Sequence, residues 1–359
     1  MHGIARVRRH VSPFLRRYSR VAAETASQLG RVRLLLLAAL ALVVGCLSPS
    51  GNDDLGLEGD LLFVVNRGIQ EVWGYDLGNN NRIGIWSTGA GPTEMAVSPN
   101  ERWIVIANYG NQSAGNTLTV IAVSNFSLFN TISLGPNGRP NGMAFMTDDN
   151  LAVTSELSRT VVLVNVPTGI TLTTQDTEQD GSHLVVVEPE NDYLWTSNSI
   201  DGTVSRIPTS GSEDVWIIPT DPNAEALALS PDGTRLWVGS GDTDRITVVN
   251  TQTGEIVERF DVPGYPLRIA FLPEGDAAVV TSVEAGTVGL YDADSFELDN
   301  ELTIGGSPTS VVLSPDGTRA YVALSTGLRI VIIDTDNMEE VGQLETGLSP
   351  AGLAYVPKF

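Results

Sequence analysis

Residues 225–234 read EALALSPDGT, and residues 309–318 read TSVVLSPDGT. The same phrase, changed to different degrees, recurs as EMAVSPN (94–100), AFMTDDN (144–150), VVVEPEND (185–192), LRIAFLPEGD (267–276) and GLAYVPKF (352–359). Its proline gives the reference positions Pro99, Pro189, Pro231, Pro273, Pro315 and Pro357, with Thr147 in the same slot. Every step from Thr147 to Pro357 is 42 residues, while the step from Pro99 to Thr147 is 48, the excess matching an insertion at 111–116 (NQSAGN). One more step of 42 back from Pro99 reaches Leu57, where LEGD copies the PEGD of 273–276. Residues 57–357 therefore hold seven units, and a fixed period of this length marks a repeat architecture.

Each unit contains four strand-like runs, as in RLWVGS (235–240), RITVVN (245–250), IVERFDV (256–262) and PLRIAFLP (266–273), separated by turn signals such as Thr253-Gly254 and Pro263-Gly264. The first, second and fourth are nearly continuous apolar sequence, as strands buried on both faces require. The third is mixed, as is LDNELTI at 298–304, and suits an outer strand facing water. Four strands per unit with no helical segment predict an all-β, seven-bladed β-propeller of four-stranded antiparallel blades over residues 58–359. The chain begins on the second strand of a blade (LLFVVN, 61–66) and ends on an innermost strand (AGLAYV, 351–356), so the ring is expected to close by pairing those two. Trp195 and Trp237 hold equivalent slots in successive blades and read as blade-to-blade packing.

This pattern resembles the YVTN β-propeller family, named for a tetrapeptide in the second strand. Here that slot reads Phe63-Val64-Val65-Asn66, Trp195-Thr196-Ser197-Asn198 and Tyr321-Val322-Ala323-Leu324, and the SPDGT turns and the NTQTG turn at 250–254 match as well. The resemblance implies a fold and no particular activity.

Ahead of the repeats, residues 34–44 (LLLLAALALVV) follow Arg31 and Arg33 and precede Gly45-Cys46. As a helix they rise about 16 Å, too little for a hydrocarbon core of roughly 30 Å. A basic flank, a short apolar run and a small residue form a secretory signal. Val43-Val44-Gly45-Cys46 resembles a bacterial lipobox, which implies lipidation of Cys46, a membrane anchor through that lipid and a cell-envelope location. Leu47 after the cysteine, in place of the Asp that retains similar lipoproteins at the inner membrane, points to the outer membrane in a Gram-negative host. Residues 1–45 then form an extension plus signal, and residues 46–57 a flexible tether reaching about 36 Å when extended.

Composition narrows the chemistry. The 359 residues carry a formal charge of −22, with three His and one Cys. Without residues 1–45 the chain loses eight Arg and one Glu, leaving 13 basic against 42 acidic side chains and a net charge of −29. Such a charge disfavours nucleic acid and anionic lipid. One cysteine excludes a disulfide scaffold, and the lack of a C-x-x-C-H motif or a His set gives no support to haem, quinone or copper, so no cofactor is expected. The acid pairs Asp242/Asp244, Asp292/Asp294 and Asp334/Asp336 lack a full calcium loop and read as turn caps.

A ligand site is expected at the mouth of the central channel, where innermost strands begin. Six residues before each reference position stand Thr93, Asn141, His183, Glu225, Leu267, Thr309 and Ala351, with Glu94 and Arg268 one residue further on. His183, Glu225 and Arg268 come from consecutive blades and are expected to converge. The reading that follows is a binding or scaffold module for a protein or small ligand. A lactonase-like hydrolase is the enzymatic alternative, with His and Glu relaying protons and Arg holding an oxyanion. A structural surface-layer component is a third, and simple hydration of the mouth, with Glu225 neutralising Arg268, is the plain one. The insertion at 111–116 ranks second as an interaction site.

Overall fold

The computed structural model describes residues 56–358 except residue 212. The expected signal segment, Cys46 and most of the expected tether lie outside the described residues. Among the described residues, 28 strands form seven four-stranded antiparallel sheets and there is no helix. Blade 1 combines Pro350–Val356 as its innermost strand with Leu61–Asn66, Glu71–Asp76 and Asn81–Ser87. Blades 2 to 7 follow in chain order, headed by the innermost strands Pro92–Val97, Pro140–Phe145, Ser182–Val187, Ala224–Leu229, Pro266–Phe271 and Pro308–Leu313. Each innermost strand touches those of its two neighbours, and Pro350–Val356 touches both Pro308–Leu313 and Pro92–Val97, which closes the ring.

The closure expected from the sequence is present in register: Leu61 pairs with Val356, Phe63 with Ala354 and Val64 with Leu353. Asp60 and Leu57 fasten the seam, since Lys358 N donates to Asp60 Oδ1 at 2.7 Å and Lys358 Nζ to Leu57 O at 2.7 Å.

The apolar runs are explained by their faces. Leu62 and Val64 point into a core shared with Tyr321, Ala323 and Ile330 of blade 7, whereas Leu61, Phe63 and Val65 point into one shared with Ile104 and Ile106 of blade 2. Each of the seven gaps between blades holds one such cluster. Side chains alternate between faces with a period of two, so a strand buried on both faces is apolar throughout. Trp195 and Trp237 are fully buried in the clusters between blades 4 and 5 and blades 5 and 6. Outer strands such as Leu298–Thr303 are largely exposed.

The insertion is not a separate loop. It lengthens a hairpin of blade 2, whose strands Trp103–Gly110 and Ala114–Ala122 run to eight and nine residues and pair out to Gly110 and Ala114. Of the turn acids, Asp292 and Asp334 cap their own backbone, Asp292 Oδ1 accepting from Asp294 N at 2.9 Å and Ser295 N at 2.6 Å and Asp334 Oδ1 from Asn337 N at 3.1 Å, whereas Asp244 Oδ1 accepts from Gly264 N at 3.2 Å and Tyr265 N at 2.8 Å in the loop ahead of the next inner strand.

Candidate functional site

Every innermost strand opens with a break in ladder register. In blade 5, Ala224 pairs with Ser240 and Ala226 with Gly239, leaving Glu225 without an opposite number. Leu267 and Thr309 are left over in the same way, and Thr93, Asn141 and His183 fall inside the equivalent breaks. A bulge of this kind bends the strand and re-aims the extra side chain. The ring of candidates read from the sequence is thus the ring of bulge residues. The ends of the second strands and the loops that follow them stand beside them on the same face, as Tyr109 N donates to Gly91 O at 3.2 Å and Arg67 N to Ser349 O at 3.1 Å.

His183 is the centre of one cluster. Its Nδ1 donates to Glu156 Oε1 at 2.7 Å, and the Asn141 amide nitrogen lies 2.9 Å from Nδ1 and 3.3 Å from Nε2. Tyr109 Oη donates to the other Glu156 oxygen at 2.6 Å, and the Tyr109 ring carries the Arg139 guanidinium 4.8 Å from its centroid. Burial of His183 opposes its charge, but the hydrogen bond and charge of Glu156, with the charge of Glu225, outweigh it and hold the imidazole above its ordinary pKa of 6.5. Arg268 acts in the opposite direction.

Glu225 and Arg268 do not neutralise one another. Glu225, 5% exposed, accepts a hydrogen bond from Tyr265 Oη at 2.7 Å, and Tyr265 Oη accepts one from Asn223 Nδ2 at 2.8 Å. Burial, followed by the charge of Glu225, pushes the Tyr265 phenol well above its ordinary value. Arg268 Nη2 instead binds Glu94 Oε1, while its Nη1 donates to Leu267 O at 2.8 Å. Glu94 heads blade 2 and Arg268 blade 6, positions as far apart as a ring of seven allows, so this ion pair spans the channel.

The remaining candidates serve differently. Thr309 Oγ1 donates to Pro350 O at 3.2 Å and joins blades 7 and 1. Thr93 is buried, and its hydroxyl has no hydrogen-bond partner. Glu156, Tyr109, Tyr265 and Asn223 were not among the candidates. Strict counting by 42 places Glu156 in the slot of Asn198, inside a strand. The turn at 146–149 is one residue shorter than its counterpart at 188–192, and this moves Glu156 into the loop above the mouth.

Two depressions lie away from the mouth. One of about 360 Å³ is lined by Thr88, Leu128, Phe129 and neighbours, and one of about 480 Å³ by Met143, Phe145, Val187, Leu229 and neighbours toward the opposite end of the channel. Among the described residues no group of three or more His, Cys, Asp or Glu is placed to hold a metal ion.

The fold defines a seven-bladed β-propeller. No protein-family model and no curated protein matches the sequence. Among solved structures, the chain is similar to a functionally unknown protein from Desulfotomaculum acetoxidans DSM 771 (TM-score 0.72, 12% identity, 84% of this chain and 100% of that one). It is also similar to Kuenenia stuttgartiensis hydrazine synthase (0.70, 18%, 82% and 99%) and to a candidate 6-phosphogluconolactonase from Bacteroides fragilis NCTC 9343 (0.70, 13%, 86% and 100%). At these identities the likeness is one of fold.

Proposed function

We propose that this chain is a YVTN-type propeller, anchored in the cell envelope through a lipid on Cys46, that acts as a binding or scaffold module for a protein or small ligand at the polar channel mouth, with no evident catalysis. The observation that carries the binding role is the state of the charged mouth groups. His183 is held by Glu156, Arg268 by Glu94 and Glu225 by Tyr265, so the hub is a prearranged set of hydrogen-bonding groups. Sites built for recognition fix a few polar groups in this way. The apolar run at 34–44 and Val43-Val44-Gly45-Cys46 support the anchor.

The test is capture of partners from envelope extracts by the full chain, with His183→Ala beside it. The reading predicts a specific partner that the variant loses; capture unaffected by the substitution overturns the mouth as the binding site. Mass spectrometry of the mature N-terminus tests the anchor separately.

A hydrolase reading has one observation in its favour, the His183–Glu156 pair within electrostatic reach of Arg268. It requires the Arg268 guanidinium, now tied across the channel, to be available to an oxyanion. Lactone hydrolysis by the full chain that disappears in His183→Ala would establish it.

A further inference from the structure

Six of the seven outer strands carry a bulge that leaves one residue without an opposite number at the rim of the ring. In the outer strands of blades 2 and 3, Ser127–Ser133 and Ile170–Asp176, that residue is Phe129 and Leu172, 46% and 53% exposed. Val257 and Val341 hold the place in blades 5 and 7 but stand beside Glu258 and Glu340. Asp299 holds it in blade 6, and Ile83 in blade 1 packs onto the core shared with blade 2. Around Phe129 and Leu172 charge is missing: residues 103–138 and 160–175 contain no Asp, Glu, Lys, Arg or His, in a chain whose formal charge is −22. The large side chains beside them, Leu128 and Ile170, are exposed as well. The two strands form one surface, because a Cβ on Gly169 would lie 3.2 Å from Asn130 Nδ2. The outer strand of blade 4, Trp216–Pro219, is uncharged too, but it has no bulge and follows Glu213 and Asp214. Centres of protein interfaces are depleted of charge and enriched in aromatic groups, which is the composition of this stretch of rim.

We infer that the rim of blades 2 and 3 is where two copies of this chain meet across a two-fold axis. The contact lies away from the mouth and does not depend on what the mouth binds. Charge decides the occupant. The outer strands of blades 5 to 7 carry Glu258, Asp299, Glu301, Glu339 and Glu340, so a basic partner is drawn there. An acidic body meets like charge along those rims and none here. A second copy is such a body, and it brings the matching uncharged, apolar patch that an isologous contact requires. Because the bulges interrupt regular strand edges, the two copies meet through packed side chains and not through a continued sheet.

Sedimentation equilibrium of the full chain in neutral detergent tests this at about 0.01 M and about 1 M sodium chloride, between which the screening length shortens from about 30 Å to about 3 Å. A dimer is expected whose association tightens several-fold with salt, since the copies repel at long range and the contact holds no ion pair. Phe129→Glu and Leu172→Glu are each expected to weaken it by about tenfold or more, because the two-fold axis brings every new charge in beside its symmetry mate. The Phe129 ring rests 4.5 Å from that of Trp103, so if Phe129→Glu does not fold, Thr171→Glu, at an exposed hydroxyl, carries the same expectation. Val341→Glu, on the rim of blade 7 and equally exposed, is expected to leave the dimer unchanged. A monomer at both salt concentrations, a dimer that dissociates as salt is raised, a dimer indifferent to the substitutions in blades 2 and 3, or equal loss in Val341→Glu would overturn the assignment. A monomer that instead retains a different protein through Phe129 and Leu172 would overturn it as well.

Discussion

Glu156 accepts the Nδ1 proton of His183 at 2.7 Å from the adjacent blade, and so converts a largely buried imidazole that would otherwise resist charge into one that keeps it. The consequence is a pH-dependent contribution to stability. With the folded pKa above the ordinary 6.5, the contribution is complete below that value and is lost as pH rises through the folded pKa. Urea denaturation of the parent is expected to show a lower midpoint on the alkaline side of that window. In Glu156→Gln the trend is expected to flatten or reverse, because burial and the charge of Arg268 then face only the charge of Glu225. An unchanged trend would show that Glu156 does not hold the charge.

Tyr265 is the partner of Glu225 and approaches the backbone so closely that a Cβ at Gly241 would lie 2.3 Å from its ring. Tyr265→Phe leaves the buried carboxylate without its phenol and is expected to cost about 1–3 kcal/mol in chemical denaturation. Gly241→Ala is expected to destabilise as well, by forcing the ring out of place. Wild-type stability in both would remove this pair from the structural account.

The two equivalent tryptophans differ in a way that separates hydrogen bonding from packing. Trp195 Nε1 donates to Glu188 Oε1 at 2.8 Å, whereas Trp237 Nε1 is buried without a partner among Phe260, Phe271 and Phe296. Trp195→Phe is therefore expected to be more destabilising than Trp237→Phe, by about 1–2 kcal/mol. Equal melting shifts would contradict the difference.

Deleting residues 350–359 removes the innermost strand of blade 1 and both of its contacts with neighbouring blades. The cooperative thermal transition is expected to disappear or fall sharply, because loss of one inner strand opens the ring and exposes two of its cores. A transition unchanged from the full chain would show that closure is not needed.

The ring was legible because its cause is repetitive: strands buried on both faces must be apolar throughout, and the SPDGT-type turns fix where each inner strand ends. The position of the bulge residues followed from the same count, so Thr93, Asn141, His183, Glu225 and Thr309 were found on the ring where they belong. Their partners were not legible. Glu156 depends on a turn one residue short, while Tyr109 lies at the end of a lengthened strand and Tyr265 in a loop, and nothing in the period marks either side chain as one that reaches a neighbouring blade. The Glu94–Arg268 pair joins residues 174 apart, and no repeat of 42 announces a contact across the hub.

The account depends on His183, Glu156, Glu225 and Arg268 acting as one charged unit at the hub. Titration of the His183 imidazole by NMR in the full chain, assigned with His183→Gln, measures this most directly. The account predicts a pKa above 6.5 that falls in Glu156→Gln and in Glu225→Gln and rises in Arg268→Gln. A pKa at or below the ordinary value, indifferent to all three substitutions, would contradict it.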